Sequence, residues 1–296
     1  MTSRRSFLKG AVAAGALTAA GCSESLELFM KKRLQELAPE ELKSILSRME
    51  ERYREQFGRE VSVDGTPAGE NVLFGYGLDL SRCNGNRLCV HACVEENNQS
   101  RAAPEAPRNN PIQWIRVLQM DKDRGIDLDH TDPYYEGDSV PAEGKSYFPV
   151  QCQQCENPPC VKVCPVKATW KEPDGIVVID YDWCIGCRCC MSACPYGARH
   201  FNWCEPVLPA SELNPKTHVL GNRPRPRGVV EKCTFCIQRT RKGLYPKCHD
   251  ACPTGARVFG NLLDPGSEIR QLMERKRVFI FKSELNTRPN FYYFYG

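Results

Sequence analysis

The 296-residue sequence predicts an α+β fold, in which small sheets and short helices form two modules with loop insertions and an N-terminal helical arm. Three observations favour this class. Residues 23–60 have helical periodicity, short β-like runs recur further along the chain, and the cysteines fall into four spaced groups. The 22 prolines and 22 glycines indicate many turns, while a hydrophobic content of 41% can still support a core.

Residues 1–22 have the pattern of an export signal. Ser3-Arg-Arg-Ser-Phe-Leu-Lys9 matches the twin-arginine signal, and the apolar run from Ala11 to Ala20 is too short to span a bilayer. This signal predicts export of a protein already folded around a cofactor, to the periplasmic face of the cytoplasmic membrane. The ending Ala-Ala-Gly-Cys22 resembles a lipobox and predicts acylation of Cys22; the alternative is ordinary cleavage nearby, with no role for this cysteine.

Residues 23–70 form the predicted helical arm and a linker. Pro39 suits a first helical turn, Gly58 ends the helix, and Gly65 to Gly69 has the composition of a linker. One helical face collects apolar side chains that should pack on the body of the protein or on a partner helix: Leu42, Ile45, Leu46, Met49 and Tyr53. The β-like runs further along are Ile112–Leu118, Ile176–Ile179 and Val278–Phe281.

The most informative feature is the spacing of the 18 cysteines. Bacterial ferredoxins bind iron–sulfur clusters with C-x2-C-x2-C-x3-C, in which three thiols hold one cluster and the fourth, followed by proline, ligates a second cluster. That proline is expected at an early helical position, and Gly186 should let the backbone approach the inorganic sulfurs. The four groups are Cys83-x5-Cys89-x3-Cys93, Cys152-x2-Cys155-x4-Cys160-x3-Cys164-Pro, Cys184-x2-Cys187-x2-Cys190-x3-Cys194-Pro and Cys233-x2-Cys236-x11-Cys248-x3-Cys252-Pro.

Other uses of these cysteines fit less well. Structural zinc uses C-x2-C pairs but not repeated runs closed by Cys-Pro, and export of a folded, cofactor-loaded chain disfavours a disulfide framework. Two cysteines outside the motifs, Cys189 and Cys204, are predicted to be buried packing residues, with Cys189 as an alternative ligand. His91 and His249 are expected to be spacers or hydrogen-bond donors. A net charge of +4 without a basic stripe indicates no nucleic-acid partner.

The four groups, in this order, resemble the four-cluster iron–sulfur subunit of the dimethyl sulfoxide and polysulfide reductase family. The close phrases are Cys184–Trp203 and Cys248–Arg257, and the similarity covers about residues 75–290. The leader and Leu285–Pro289 resemble the periplasmic, twin-arginine-exported branch, which includes a subunit of the sulfite-reduction-associated complex. The resemblance implies two ferredoxin-like two-cluster modules: residues 71–145 plus 229–283 (groups one and four) and residues 146–205 (groups two and three). A Pro/Arg-rich loop, 206–228, and a C-terminal tail, 284–296, complete the chain.

The resemblance also implies four ligand sets, which we name sites A to D. Site A has Cys83, Cys89 and Cys252, with Asn86 at the corner where a fourth thiol would stand. Because an amide oxygen is a weaker ligand for iron than thiolate, site A is expected to hold a [3Fe-4S] cluster or an atypically ligated [4Fe-4S] cluster. Three [4Fe-4S] clusters are expected in site B (Cys93, Cys233, Cys236, Cys248), site C (Cys152, Cys155, Cys160, Cys194) and site D (Cys164, Cys184, Cys187, Cys190).

The function that the resemblance implies is electron relay between a polytopic quinone-reactive membrane subunit and a catalytic or multihaem cytochrome subunit. A lipid anchor and docking to partners would hold the chain at the membrane. The sequence has no recognisable nucleophile–base pair, nucleotide-binding loop or pterin-binding site, so catalysis by this chain alone is not expected. The alternative is a self-contained oxidoreductase that acts on a small molecule at an open iron beside Asn86.

Three further segments are candidate contact surfaces. The insertions Asp121–Lys145 and Glu205–Gly228 lack periodicity and are expected to be solvated loops or docking surfaces. The aromatic end Phe291–Tyr295 is either a docking strip or a packed terminal strand.

Overall fold

The computed structural model describes residues 34, 37–101, 111–124, 126, 131–132, 135 and 140–296. The predicted α+β class is confirmed. The described helices are α1 (Pro39–Phe57), α2 (Leu88–Glu96), α3 (Pro159–Lys162), α4 (Cys189–Ser192), α5 (Ile237–Thr240), α6 (Lys247–Asp250) and α7 (Glu268–Arg275). The described strands are β1 (Ser62–Asp64), β2 (Phe74–Asp79), β3 (Arg116–Asp121), β4 (Lys145–Val150), β5 (Thr169–Lys171), β6 (Val177–Ile179), β7 (His200–Phe201), β8 (Lys216–His218), β9 (Val230–Glu231), β10 (Arg257–Asn261) and β11 (Phe291–Phe294).

A three-stranded sheet joins distant parts of the sequence. Its central strand, β2, pairs antiparallel with β10 and parallel with β11. Tyr76 of β2 is fully buried and stacks on Phe291 of β11, with ring centroids 4.9 Å apart. The C-terminal aromatic segment is therefore a packed strand, and its interpretation as a docking strip is wrong; only Tyr295, beyond the strand, is an exposed large apolar residue there.

The other strands form two-stranded pairs. The hairpin of β3 and β4 is antiparallel, as are the pairs β5–β6 and β7–β9, whereas β1 and β8 are parallel. The predicted β-like runs Ile112–Leu118 and Ile176–Ile179 overlap β3 and β6. The run Val278–Phe281 is not a strand: it makes a single bridge, from Phe279 to Tyr293.

Helix α1 has the predicted bounds. It begins at Pro39, and the N–H of Gly58, which has a φ of 63°, donates to the carbonyl of Arg54 (2.9 Å) just past its end. The buried Tyr53 donates to the carbonyl of Pro224 (3.3 Å), so this helix packs against the Pro/Arg-rich loop. Among the described residues, no helix combines the length and the apolar composition needed to cross a bilayer.

The Pro/Arg-rich loop is not the solvated segment that its composition predicts. Arg223 is buried and donates to Asp182 (3.0 Å). Arg225 is also buried, forms an ion pair with the fully buried Glu231, and donates to the carbonyl of Asn97 (2.7 Å). Because buried charges need partners, these arginines fix the loop onto the body of the protein.

The pairing of β1 with β8 is held by a buried imidazole. The Nδ1 atom of His218 accepts from the N–H of Leu220 (3.1 Å), which leaves Nε2 to donate to the carbonyl of Thr66 (3.0 Å). Burial lowers the pKa of His218 to about 4. This histidine is therefore neutral at physiological pH and acts as a structural hydrogen-bonding group.

Candidate iron–sulfur cluster sites

The cysteine groups share one local design. The thiol at the third position of each motif lies in a short helix: Cys89 in α2, Cys160 in α3, Cys190 in α4 and Cys248 in α6. In the last three groups the fourth thiol follows that helix, and its carbonyl accepts from the N–H three residues on, at 3.2–3.3 Å. Proline therefore occupies the second position of a turn, which its fixed φ favours, and the expectation that it begins a helix is wrong.

Helix packing brings the groups together in two pairs. Helix α2 of group one packs on α6 of group four, and α3 of group two packs on α4 of group three. These contacts place thiols that are far apart in sequence next to each other. They are the pairs that the two predicted modules require, although the module boundaries themselves stay a prediction.

Site B is fully enclosed. The pKa of Cys93 is raised, first by burial and then by the neighbouring thiols of Cys236, Cys233 and Cys248. Asn97 Nδ2 lies 3.5 Å from Cys93 Sγ and 3.6 Å from Cys236 Sγ. All four predicted ligands of this site are thus buried neighbours with an amide donor between two of them.

Sites C and D are also assembled from paired groups. The pKa of Cys155 is raised to about 12, first by burial and then by Cys152, with Cys160 and Cys194 contributing as well. In site D, Cys184 packs beside the buried Cys190.

Cys189 is not the buried packing residue that the sequence predicts. It is exposed, and the thiols of Cys187 and Cys164 of site D are its neighbours. Cys204 is half-buried. His91 is exposed, and the ring of His249 stacks on Tyr245 with centroids 4.3 Å apart.

Site A is a cavity whose lining includes Cys83, Asn86, Cys89, Cys252 and Arg257. The structure therefore brings the predicted corner residue and the three predicted thiols to one place. The pKa of Cys83 is raised to about 11, mainly by burial. Burial also acts to raise the pKa of Cys252, but hydrogen bonds, led by that from the Thr254 side chain, outweigh it, so this pKa is lowered.

The Asn86 side chain is engaged with its own loop. Its Oδ1 atom accepts from the N–H of Leu88 (3.0 Å), the first residue of α2, and its Nδ2 atom donates to Asn84 Oδ1 (2.7 Å). This is an Asx turn immediately before the N-cap residue Arg87, and it satisfies the N–H of the first residue of the helix. The amide oxygen of Asn86 is thus engaged in a hydrogen bond within its own loop.

Two glycines allow the cluster loops to fold. Gly85 has a φ of 78°, and a Cβ atom there would lie 2.3 Å from the ring of Tyr147. Gly186 has a φ of 68°, and a Cβ there would lie 2.2 Å from the carbonyl oxygen of Gly228. Close backbone packing therefore explains Gly186, in addition to any approach to cluster sulfur that the sequence suggests.

The donor set fits iron–sulfur clusters. All 17 cysteines in the described part of the chain have free thiols. Burial raises the pKa of Cys93, Cys155 and Cys233, so that a bound metal would be needed to stabilise their thiolates. Within the same part, no Cys, His, Asp or Glu side chains are arranged to hold a single metal ion. The assignment of individual ligands to sites A to D stays a prediction, and Cys22 lies outside the described residues.

Sequence reasoning missed two buried arginines beside the thiols. Arg199 Nη2 donates to Cys160 Sγ (3.0 Å), and Arg257 Nη2 donates to Cys89 Sγ (3.3 Å). Both follow a Cys-Pro by the same spacing, in the run Cys-Pro-x-Gly-Ala-Arg. That repeat is the signal that could have revealed them.

Comparisons with known proteins agree with this donor set. The chain matches the family described as a 4Fe-4S dicluster domain over residues 144–214 and 222–262. It is 43% identical over 223 residues to a Halobacterium salinarum protein provisionally named as an iron–sulfur subunit of dimethyl sulfoxide reductase; the match covers 75% of this chain and 79% of that protein.

Two relatives are named after reactions of menaquinone or menaquinol. The Hdr-like menaquinol oxidoreductase iron–sulfur subunit 1 of Archaeoglobus fulgidus is 37% identical over 305 aligned positions, covering 99% of this chain and 98% of that protein. The menaquinone reductase iron–sulfur cluster-binding subunit of Nitratidesulfovibrio vulgaris is 36% identical over 244 residues, covering 75% of this chain and 88% of that protein.

Proposed function

The chain belongs to the family of iron–sulfur subunits of respiratory oxidoreductases that share the 4Fe-4S dicluster domain, and we propose that it is the electron-transfer subunit of a membrane-associated complex. When bound, the clusters supply one-electron chemistry. The residues of the chain hold them, exclude water and set the charge around them.

The observation that carries the proposal is the continuity of the four sites. Arg257 lies between sites A and B, and Arg199 lies between sites C and D. Sites B and C meet where Cys152 raises the pKa of Cys233, second only to burial as a cause. Each site therefore neighbours the next, which is the arrangement that a relay of one-electron carriers requires.

We assign one [3Fe-4S] cluster to site A and [4Fe-4S] clusters to sites B, C and D. Four thiols are available at each of the last three sites, whereas site A has three. The Asn86 oxygen is already bonded to the N–H of Leu88, and it is a harder and weaker ligand for iron than a thiolate. An iron at that corner would lack a strong ligand.

The partners are a polytopic quinone-reactive membrane subunit and a catalytic or multihaem cytochrome subunit. The names of the Archaeoglobus and Nitratidesulfovibrio relatives support the quinone partner. A contact face is available at site D, where Cys187 is exposed beside the exposed Ile185 and Trp203. The guanidinium of Arg188 lies over the Trp203 ring at 4.5 Å, so this face combines apolar side chains with a positive charge.

The complex lies at the periplasmic face of the cytoplasmic membrane, with the chain exported by the twin-arginine route and anchored by lipid at Cys22. The support is the pattern of residues 1–22. Replacing Arg4 and Arg5 with lysine should retain the protein in the cytoplasm, and mass spectrometry of the mature N-terminus reports acylation separately. A variant found in the periplasm at the wild-type level would contradict the export route.

Anaerobic purification tests the function itself. The protein should be brown, contain about fifteen irons per chain, and co-purify with a quinone-reactive membrane protein. Stoichiometric zinc with little iron would refute cluster binding. Turnover of a small substrate by the isolated chain with an artificial electron donor would instead support a self-contained oxidoreductase acting beside Asn86.

A further inference from the structure

Two segments of the chain place an arginine at the same point of the same turn. They run from Cys194 to Arg199 and from Cys252 to Arg257. In each, the N–H of the glycine donates to the cysteine carbonyl (3.3 Å), and both arginines are only 4% exposed. The third Cys-Pro run has Thr169 at the corresponding position.

Arg199 lies among the thiols of sites C and D. Its Nη2 atom donates to Cys160 Sγ and to Thr169 Oγ1, both at 3.0 Å. The thiols of Cys160, Cys190 and Cys152 surround this guanidinium, which stays charged as arginine does in proteins. Its Nε and Nη1 atoms are buried without a partner among the described residues. Unpaired buried donors are uncommon, and these would be satisfied by the sulfur atoms of bound clusters.

Arg257 has the equivalent place between sites A and B. Its Nη2 atom donates to Cys89 Sγ (3.3 Å), and its Nη1 atom lies 3.9 Å from Cys248 Sγ. Nη1 also donates to the neutral oxygens of Gln151 (3.1 Å) and Tyr76 (3.4 Å). These partners orient the guanidinium without cancelling its charge.

A fixed cation at such a position favours the reduced form of a cluster. One electron, delivered by a partner subunit, adds one negative charge, and an adjacent positive charge stabilises it strongly where water is excluded. Arginine keeps its proton throughout, so no proton moves with the electron. We propose that Arg199 and Arg257 are redox-tuning residues, each raising the reduction potentials of the clusters in both sites that it joins. This inference rests on the proposed cluster function.

The test is a redox titration of the anaerobically purified, iron-loaded protein, followed by electron paramagnetic resonance. Arg199→Gln should lower the reduction potentials of the clusters in sites C and D. Each should fall by at least about 59 mV, which corresponds to a tenfold change in the one-electron equilibrium constant. Arg257→Gln should lower the other two, including that of the three-iron signal assigned to site A. Lysine at either position should give a smaller shift in the same direction, because the charge is kept but the planar contacts are lost.

Arg223→Gln is the matched control. Arg223 is also buried but donates to the carbonyl of Val219 (2.8 Å) and to Asp182 rather than to a thiol, so its replacement should move no potential. Potentials that stay unchanged in both glutamine variants at full iron content would overturn the inference, as would an equal shift of all four clusters in each variant. If both the glutamine and the lysine variants lose iron, the arginines are structural and the inference is overturned. Wild-type protein without redox-active iron would refute the proposed function instead.

Discussion

Replacing Asn86 with cysteine should convert site A from a three-iron into a four-iron site. In the structure this residue lies at the cavity with Cys83, Cys89 and Cys252 but supplies no thiolate. A thiol at the same position completes the ligand set of the motif. Iron content should rise by one per chain, from about fifteen to about sixteen, and the resonance signal of the oxidised three-iron cluster should disappear.

The substitution should leave the fold intact. It removes the bond from the N–H of Leu88 to Asn86 Oδ1 (3.0 Å) and the bond to Asn84 (2.7 Å). Loss of each of these two partly buried hydrogen bonds costs about 1 kcal/mol. These losses are small against the free energy of about 10 kcal/mol or more that a complete thiolate metal site contributes to folding, so the fold should be kept.

Asn86→Ser is the matched control, because its hydroxyl can still cap the N–H of Leu88 but offers no thiolate. This variant should keep the three-iron signal and the wild-type iron content. The reasoning is refuted if the cysteine variant keeps the signal at unchanged iron content. It is equally refuted if anaerobic wild-type protein has four irons at all four sites.

Three further predictions concern the contact face and the fold. Trp203→Glu should weaken co-purification with partner subunits at unchanged iron content. Leu263→Glu should not, although Leu263 is as exposed (57%) as Trp203 (58%). Equal recovery of the partners with both variants would reject the contact face. Arg225→Ala should lower the free energy of unfolding by about 3–5 kcal/mol, because it leaves Glu231 buried and without its cation. A loss below about 1 kcal/mol, measured by denaturation with guanidinium chloride, would contradict this. His218→Gln should make the protein less sensitive to acid. Because the pKa of His218 is about 4 in the folded chain against 6.5 when unfolded, the unfolded chain binds more protons between these pH values. The free energy of unfolding of the wild type should therefore decrease by about 1.4 kcal/mol for each pH unit of acidification in this range. The same acid sensitivity in both proteins would exclude this role.

Local patterns were sufficient where the interactions are local. Helix α1 is predictable because Pro39, Gly58 and an apolar face with a period of 3.6 residues all lie within one segment. The cysteine loops of sites C and D are predictable for the same reason, since three ligands of each site come from nine and seven consecutive residues, respectively. The family resemblance then supplied the pairing of groups, which helix packing also brings together.

The sequence could not reveal interactions between distant segments. The C-terminal segment becomes β11 because Phe291 lies opposite Tyr76 of β2, more than 200 residues earlier in the chain. The Pro/Arg-rich loop has a solvated composition, but Arg225 is buried by its pairing with Glu231. Residue type and the neighbouring Cys190 predict that Cys189 is buried, yet its position at the start of α4 exposes it.

Site A differs from the other three sites in one ligand, and the structure indicates why its loop tolerates the change. In a complete motif the second thiolate ties the chain to the cluster between the first and third cysteines. Here the side chain of Asn86 instead accepts a hydrogen bond from the N–H of Leu88 within the same loop. Arg87, in the left-handed conformation (φ 58°), is the N-cap residue of α2. The tyrosine hydroxyl of Tyr135 donates to the carbonyl of Gly85 and supports the loop from the other side. The loop thus has supports other than a cluster ligand at this corner, which fits the three-iron cluster that we propose for site A.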